Sequence, residues 1–202
     1  MICPMEKKEL LLALPHKRVY TTEEPLILCE EFLGDHADIR NTMHSFLMQG
    51  LSDQEVTCNF LGKIGDTEHA CLKVLEIPMT LTVVEGGEAP AYAYYLHKDG
   101  REVPVTREEL LNGTVIEEAL LNMEDTGRYV WDVLNTYFAN YGIGLGQIDL
   151  RFGHVAEHFI VMCGELTPDT MHLMDPQSGK RLWTGEGGME NAYEIILARM
   201  SA

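Results

Sequence analysis

The pentapeptide HVAEH at residues 154–158 has the spacing of an inverted zinc-protease motif, H-x-x-E-H. Such a motif binds zinc only when it is helical, because residues four apart then share one face, about 6 Å from each other. Here Gly153 precedes the motif and the strand-like run FIVMC follows it. Residues four apart on a strand are separated by about 13 Å, too far for one metal ion. The sequence therefore favours a β-hairpin over 145–163, with HVAEH at its turn, over a zinc metallopeptidase.

The first part of the chain predicts a β-rich N-terminal lobe with one helix, over residues 1–85. Apolar residues at helical spacing (Ile39, Met43, Phe46, Leu47) predict the helix, and Gly50 is expected to end it. The Gly- and Pro-rich EGGEAP at 85–90 is expected to join this lobe to the second. Strands are expected in the alternating or β-branched runs RVYTT, PLILCEEF, EVTCNFLGKI, EHACLKVL and MTLTVV.

Residues 86–202 predict a C-terminal lobe of mixed α+β structure. A T-x-x-E capping box at Thr114 and Glu117 precedes apolar residues at three- and four-residue steps, which predicts one long helix over 114–141. The strands AYAYYL and REVPV come before this helix, and the hairpin 145–163 follows it. A terminal helix is expected over 188–200. The whole chain is thus expected to be an α+β protein with two lobes.

The composition is that of an acidic globular protein. The 32 acidic residues outnumber the 15 Lys and Arg residues and give a net charge of −17, which disfavours binding to nucleic acid or anionic lipid. No apolar run has the length of a membrane span, and the N-terminus lacks a signal-peptide pattern, so we expect a cytoplasmic protein. Five scattered cysteines without a C-x-x-C motif indicate reduced thiols, not a disulfide framework or a thiolate zinc site.

Five segments, in order, resemble motifs of the SAICAR synthetase family. They are HKRVYTTEEPLILCEEF, IGDTEHACLKVLEIP, YGIGLGQIDLRFG, GELTPDTMHLMD and GGMENAYEIILARM. The resemblance implies a two-lobed fold similar to ATP-grasp and kinase-like proteins, with ATP as cosubstrate. It also implies the family's reaction, in which a carboxylate on an aminoimidazole ribonucleotide is activated by phosphorylation and then joined to aspartate.

The chain departs from the family motifs where they supply magnesium ligands. The Glu of E-F-G and the first acid of D-E correspond to Arg151 and Gly164, which have no oxygen to offer a hard cation. The Asp and Lys of D-x-K correspond to Gln147 and Asp149. Two substrate loops of the family are reduced here to GDHAD and EGGEAP. We therefore expect no metal site of the family type.

Five residues remain as candidates for nucleotide binding: Lys17, Lys73, Arg151, Glu165 and Asp169. All but Arg151 match charged positions of the family motifs, and Arg151 stands in a metal-ligand position. Each has a structural alternative. The two lysines could lie on strand surfaces, and Asp169 follows a proline in TPDT, a sequence typical of a turn.

Two main functional hypotheses follow, and the replaced metal ligands favour the first of them. A third, a true SAICAR synthetase with an unusual site, is disfavoured by the shortened loops. The first is a non-catalytic or binding paralogue that keeps the family's ligase fold but has eroded metal and substrate sites. The second is an ATP-dependent amide ligase of purine biosynthesis, or a phosphotransferase, with an altered site in which Arg151 supplies part of the charge of magnesium. Either would bind ATP or another nucleotide without the family's magnesium site. A homodimer is expected because family members commonly self-associate.

Overall fold

The computed structural model describes residues 5–87, 89–155, 159–182 and 188–200. The chain forms two compact units with an α+β composition. The first contains the chain up to Val74 together with Glu165–Thr167, and the second contains Leu75–Gly164 and the chain from Pro168 onward. Among the described residues, no helix combines the length and the apolar character needed to cross a bilayer.

The first unit consists of an antiparallel sheet and one helix, α1 (Ala37–Asp53). The strand order is β1-β2-β3-β5-β4. The strands are β1 (Leu10–Ala13), β2 (Lys17–Thr21), β3 (Ile27–Phe32), β4 (Phe60–Lys63) and β5 (Glu68–Leu72).

Helix α1 buries Met43 and Leu47 as predicted, but it differs from its prediction at Phe46 and in length. Phe46, predicted on the buried face, is 49% exposed, and Gly50 lies inside a helix that continues to Asp53. The buried face also includes the polar residues Asn41 and His44, which have hydrogen-bond partners in this unit. Apolar periodicity located this face only in part because some of its residues are polar.

The second unit contains an antiparallel sheet of order β10-β9-β6-β7-β8, with β11 also paired to β9. Its strands are β6 (Leu75–Val84), β7 (Ala91–Lys98), β8 (Arg101–Val105), β9 (Gly144–Val155), β10 (Phe159–Cys163) and β11 (Met171–Met174). Its helices are α2 (Arg107–Leu111), α3 (Glu117–Ala139) and α4 (Gly188–Met200).

The boundary between the units lies at Val74 and Leu75, whereas the Gly- and Pro-rich segment predicted it after residue 85. Strand β6 pairs on one side with β7 and on the other with β9, so it is the centre of the second sheet. The segment EGGEAP connects β6 to β7 within that sheet. A Gly- and Pro-rich composition predicts a connecting segment, but only strand pairing shows which unit a strand such as β6 belongs to.

The start of α3 corrects the predicted capping box. The N-cap residue is Ile116, and no side chain caps this end of the helix. A complete capping box is formed by Thr106 and Glu109 at the start of α2. Both positions carry the pattern T-x-x-E, and the prediction chose the wrong copy because the longer apolar stripe follows the second one.

Residues 144–163 contain the antiparallel pair β9 and β10, in which Val155 pairs with Phe159 and His154 with Ile160. His154 therefore belongs to a strand. The other three residues of the zinc-protease motif, 156–158, lie outside the described residues.

Three of the four described cysteines are buried. Cys29, Cys71 and Cys163 are buried and outside any disulfide, and Cys58 is half-buried. Burial raises the pKa of the Cys29 thiol to about 11, so this thiol is protonated and unreactive near neutral pH. Cys3 lies outside the described residues.

Candidate functional site

The five candidate residues are divided between the two units. Lys17, Lys73 and Glu165 belong to the first unit, and Arg151 and Asp169 belong to the second. The side chains of Lys17 and Glu165 are 14% and 10% exposed, whereas Lys73, Asp169 and Arg151 are exposed. The structure therefore brings Lys17 and Glu165 into one buried polar region of the first unit.

The Lys17 ammonium is engaged by a carboxylate of the neighbouring strand. Its Nζ lies 2.8 Å from Oε2 of Glu30. Burial alone would lower the pKa of Lys17, but Glu30 and then Glu165 raise it above its usual value. Lys17 is thus a buried, paired cation, and an anionic ligand would have to compete with Glu30 for it.

Glu165 is held by side chains of the same unit. Its Oε1 accepts a hydrogen bond of 2.6 Å from the Thr167 hydroxyl and lies 3.4 Å from Nε of Arg40. Nε2 of His16 lies 4.0 Å from the other carboxylate oxygen. These contacts fix the carboxylate in place and partly neutralise it.

Lys73 and Asp169 lie in connecting segments. Lys73 follows β5, and its backbone N–H donates to the carbonyl of Leu26. Asp169 lies in the turn that follows Pro168, as the TPDT sequence predicts.

Alternate residues of β6 and β9 form a polar sheet face in the second unit, opposite the face that packs on α3. The pairs Thr82–Asp149 and Thr80–Arg151 lie side by side in the register. The Asp149 carboxylate accepts hydrogen bonds from the Thr82 hydroxyl at 2.7 Å and from Nε2 of Gln147 at 3.1 Å. Asp149 is therefore oriented by its own sheet.

Arg151 takes part in a hydrogen-bonded chain across this polar sheet face. Its Nη2 donates to Nδ1 of His97 at 3.0 Å, and its Nη1 lies 3.7 Å from Glu76. Since a guanidinium only donates, Nδ1 of His97 accepts, which leaves the proton on Nε2 for the Thr80 hydroxyl at 2.9 Å. Thr80 in turn donates to Glu102 at 2.7 Å.

Sequence analysis missed His97, Thr80 and Glu102. The strand register could have suggested them, because His97 lies two residues beyond Tyr95, the cross-strand partner of Thr80. Residues two apart share a face of a strand, so a polar alternation on β6 predicts polar partners on β7.

The residues of this region do not fit a magnesium ion bound as in the family. A Cβ atom on Gly164 would lie 3.3 Å from Cβ and Cδ of Arg151, so the Arg151 side chain packs over the glycine. An aliphatic stem and a guanidinium offer no oxygen to a hard cation. Within the described ranges, no group of three or more His, Cys, Asp and Glu side chains is placed to hold a metal ion.

The chain was compared with known proteins through its sequence and its fold. A family model described as SAICAR synthetase matches residues 88–185. The phosphoribosylaminoimidazole-succinocarboxamide synthases of Halalkalibacterium halodurans and Idiomarina loihiensis are 26% and 27% identical to it, with 97% of this chain and 98% of each relative covered.

Several solved structures that resemble this fold are also SAICAR synthetases. The phosphoribosylaminoimidazole-succinocarboxamide synthase of Ehrlichia chaffeensis superposes with a TM-score of 0.85 at 20% identity, over 96% of this chain and 99% of that one. A type-2 SAICAR synthetase in complex with ADP gives 0.85 at 18% identity, over 96% and 97%. The α+β fold is thus that of SAICAR synthetases. In sequence, the chain is similar to the Halalkalibacterium synthase over 97% of its length, at 26% identity.

The chain is shorter than its relatives within the matched region. The alignment with the Halalkalibacterium protein runs over 235 positions, whereas this chain has 202 residues, so at least 33 positions of the alignment have no residue here. The connection between β3 and α1 consists of residues 33–36 only, and the connection between β6 and β7 of residues 85–90. Both are places where family loops were predicted to be reduced.

Proposed function

We propose that this chain is an ATP-dependent carbon–nitrogen ligase of the SAICAR synthetase type with an altered site. The observation that carries the proposal is the extent of the similarity, which spans 97% of this chain and 98% of the Halalkalibacterium synthase. The substrates would be ATP, a carboxylated aminoimidazole ribonucleotide and aspartate, or close relatives of these.

Arg151 would contribute positive charge where the family motif places a metal ligand. Its guanidinium is 44% exposed and is oriented by His97. A guanidinium binds phosphate oxygens through paired N–H donors, so it can attract the charge of a nucleotide without a metal ion. Glu76 and Glu102 flank the same network and would weaken this attraction.

The proposal is tested by direct assay of the purified chain. Formation of the succinocarboxamide product and of ADP would be followed with ATP, the carboxylated ribonucleotide and aspartate, and each component would be omitted in turn. We expect ADP release that requires both other substrates. An absence of product at high protein concentration would contradict the ligase function.

Nucleotide binding is predicted not to depend on magnesium. We expect titration calorimetry to give the same ATP affinity in magnesium and in EDTA. Arg151→Gln is expected to weaken binding by about tenfold, the loss of one charge-assisted hydrogen bond. Arg128→Gln is the matched control, because Arg128 lies on α3 in an exposed pair with Asp125. Strictly magnesium-dependent binding would show that the metal site lies elsewhere.

The second candidate function is that of a non-catalytic binding paralogue. It is favoured by the pairing of two of the three candidate cations with acidic residues of the chain itself, Lys17 with Glu30 and Arg151 with Glu76. Saturable nucleotide binding without turnover, in the same two assays, would support this function over the ligase.

We also propose that the chain forms a homodimer. Strand β1 is an edge strand, and its residues Leu10, Leu11 and Leu12 are each 46–48% exposed. Exposed apolar edge strands favour association. Light scattering at micromolar concentration would test this, and a monomer would contradict it.

A further inference from the structure

A buried polar cluster lies between the sheet of the first unit and α1, and the proposed ligase function does not account for most of its residues. The cluster contains Lys17 on β2, Glu30 on β3, His69 on β5, and Asn41 and His44 on α1. His69 and His44 are each 2% exposed, and their rings lie 4.5 Å apart. A core of this size normally excludes a lysine, so the arrangement calls for a physical explanation.

Asn41 fixes the proton on one nitrogen of His69. Its Nδ2 donates to three backbone carbonyls, those of Gly65, Asp66 and Glu68, each at 3.0 Å. Its Oδ1 must therefore be the atom that faces Nδ1 of His69 at 3.1 Å. Since that oxygen only accepts, Nδ1 carries a proton in both charge states of the ring. Only Nε2 of His69 can gain or lose a proton.

Nε2 of His69 and the Lys17 ammonium face the same carboxylate oxygen. Oε2 of Glu30 lies 2.8 Å from Nζ of Lys17 and 3.5 Å from Nε2 of His69. Burial alone would raise the pKa of Glu30, but Lys17 and His69 hold it well below the usual glutamate range. Glu30 thus remains ionised. It faces one cation, Lys17, when His69 is neutral, and two cations when His69 is charged.

We propose that His69 controls, through Glu30, the availability of the Lys17 ammonium to an anionic ligand. His69 is a positioning residue in this arrangement. Protonation of Nε2 places a second cation on Oε2, so Lys17 and His69 repel each other and share one partner. His69 is held by Asn41 and packed against Phe32 and Phe60. The flexible Lys17 side chain is therefore the one that moves away from Glu30.

The surrounding charges determine what the released cation attracts. Lys17 balances Glu30 within the cluster, and beside it Arg40 balances Glu165. The cluster is therefore neutral with neutral His69 and carries one net positive charge with charged His69. His44 stays neutral because burial, and then His69, hold its pKa well below 6.5. Cys71 stays a thiol because burial raises its pKa. A buried net charge of one is costly, and an entering phosphate group would relieve it.

The anion would be a phosphate group of the nucleotide. This choice of ligand rests on the proposed function, whereas the coupling between His69 and Lys17 does not. Protonation of His69 and anion binding then favour each other, because linkage between two sites is reciprocal.

Nuclear magnetic resonance of the ligand-free protein tests the coupling directly. The imidazole nitrogens of His69 and the ammonium nitrogen of Lys17 would be followed across about pH 5 to 8. We expect the Lys17 signal to move with the His69 transition in the wild-type chain and in His36→Gln, and to stay constant in His69→Gln. A Lys17 signal that ignores the wild-type His69 transition overturns the proposal, even if the His69 variant does not fold.

Binding of inorganic tripolyphosphate, measured without metal, tests the ligand part. We expect the wild-type affinity to increase by about fivefold as the pH falls through the His69 transition, with the increase absent in His69→Gln. Tripolyphosphate binding that does not change with pH, or an absence of binding, overturns the proposal. A protein that shows the coupling but makes no amide product would disprove the ligase function alone.

Discussion

Single residues show where sequence reasoning reached its limit in this protein. Lys17 and Arg151 were predicted as cations of a ligand site from their positions in motifs. The structure adds that each is paired, Lys17 with Glu30 on the next strand and Arg151 with His97 from a strand 54 positions away. A motif gives the type and place of a residue, but partners of this kind depend on strand register, which one sequence does not specify.

Gly164, which stands where the family motif has an acidic residue, adopts a backbone conformation that favours glycine. Its φ is +89°, and a Cβ atom there would lie 3.3 Å from Arg151. We predict that Gly164→Ala lowers the free energy of unfolding by about 1–3 kcal/mol, because a side chain in this conformation is strained. Gly113→Ala is the control, since nothing lies within 4 Å of its Cβ position. Equal urea midpoints for the two variants would contradict the prediction.

His44 makes stability depend on pH. Its Nδ1 accepts the backbone N–H of Leu166 at 3.1 Å, and burial keeps its pKa well below 6.5 in the folded chain. The unfolded chain therefore binds the additional proton. The contribution is complete above about pH 6.5 and decreases as the pH falls, by at most about 1.4 kcal/mol per pH unit.

We predict that His44→Asn reduces this pH dependence. Asparagine keeps an acceptor near the position of Nδ1 but cannot ionise. Urea denaturation at about pH 7 and pH 5 should show a larger loss of stability on acidification for the wild-type chain than for the variant. Equal losses would mean that His44 is not the group that titrates.

Elements were predicted best where one apolar stripe packs on one surface. The stripe of α3 predicted this helix to within a few residues of its bounds, because Leu120, Met123, Val130, Leu134 and Phe138 are all buried. Short elements without such a stripe, α2, β1 and β11, were not predicted. Their position depends on pairing with β2 and β9 and on a local cap, which contribute little periodicity.

Gly127 allows α3 to approach its sheet closely. A Cβ atom at this position would lie 3.0 Å from Leu81 and 3.2 Å from Val83. We predict that Gly127→Val destabilises the chain by about 1–3 kcal/mol through overpacking. Gly50→Val on α1 has the same helical context with nothing within 4 Å, and should be close to neutral. Thermal unfolding of both variants measures the difference, and a neutral Gly127→Val would show that α3 can shift away.

For the whole molecule, the order of five motifs was sufficient to predict the similarity to SAICAR synthetases and the fold, while the extent of each unit was not predictable. The order of the motifs does not change when loops shorten, because the strands and helices still pair in the same order. The boundary between units does not follow from composition, since β6 carries the same alternating pattern whichever sheet it joins. The proposed activity depends on a few site residues, and this chain departs from the motifs at some of them, notably Arg151 and Gly164.

The net charge of −17 gives a last prediction, at the scale of the whole chain. A nucleotide polyphosphate approaches a surface of the same sign, and its local attraction comes from one or two cations. Raising the salt concentration screens the long-range repulsion more than the short-range contacts. We predict that the association rate constant for ATP rises by roughly two- to fivefold between about 20 and 200 mM KCl, the reverse of the usual trend for sites that attract anions. Stopped-flow measurements with a fluorescent ATP analogue at constant pH would show this, and potassium sulfate at matched ionic strength controls for specific chloride effects. A rate constant that falls with salt would mean that local positive charge governs the approach, which would place the nucleotide beside a stronger cationic cluster than Lys17 or Arg151 provides.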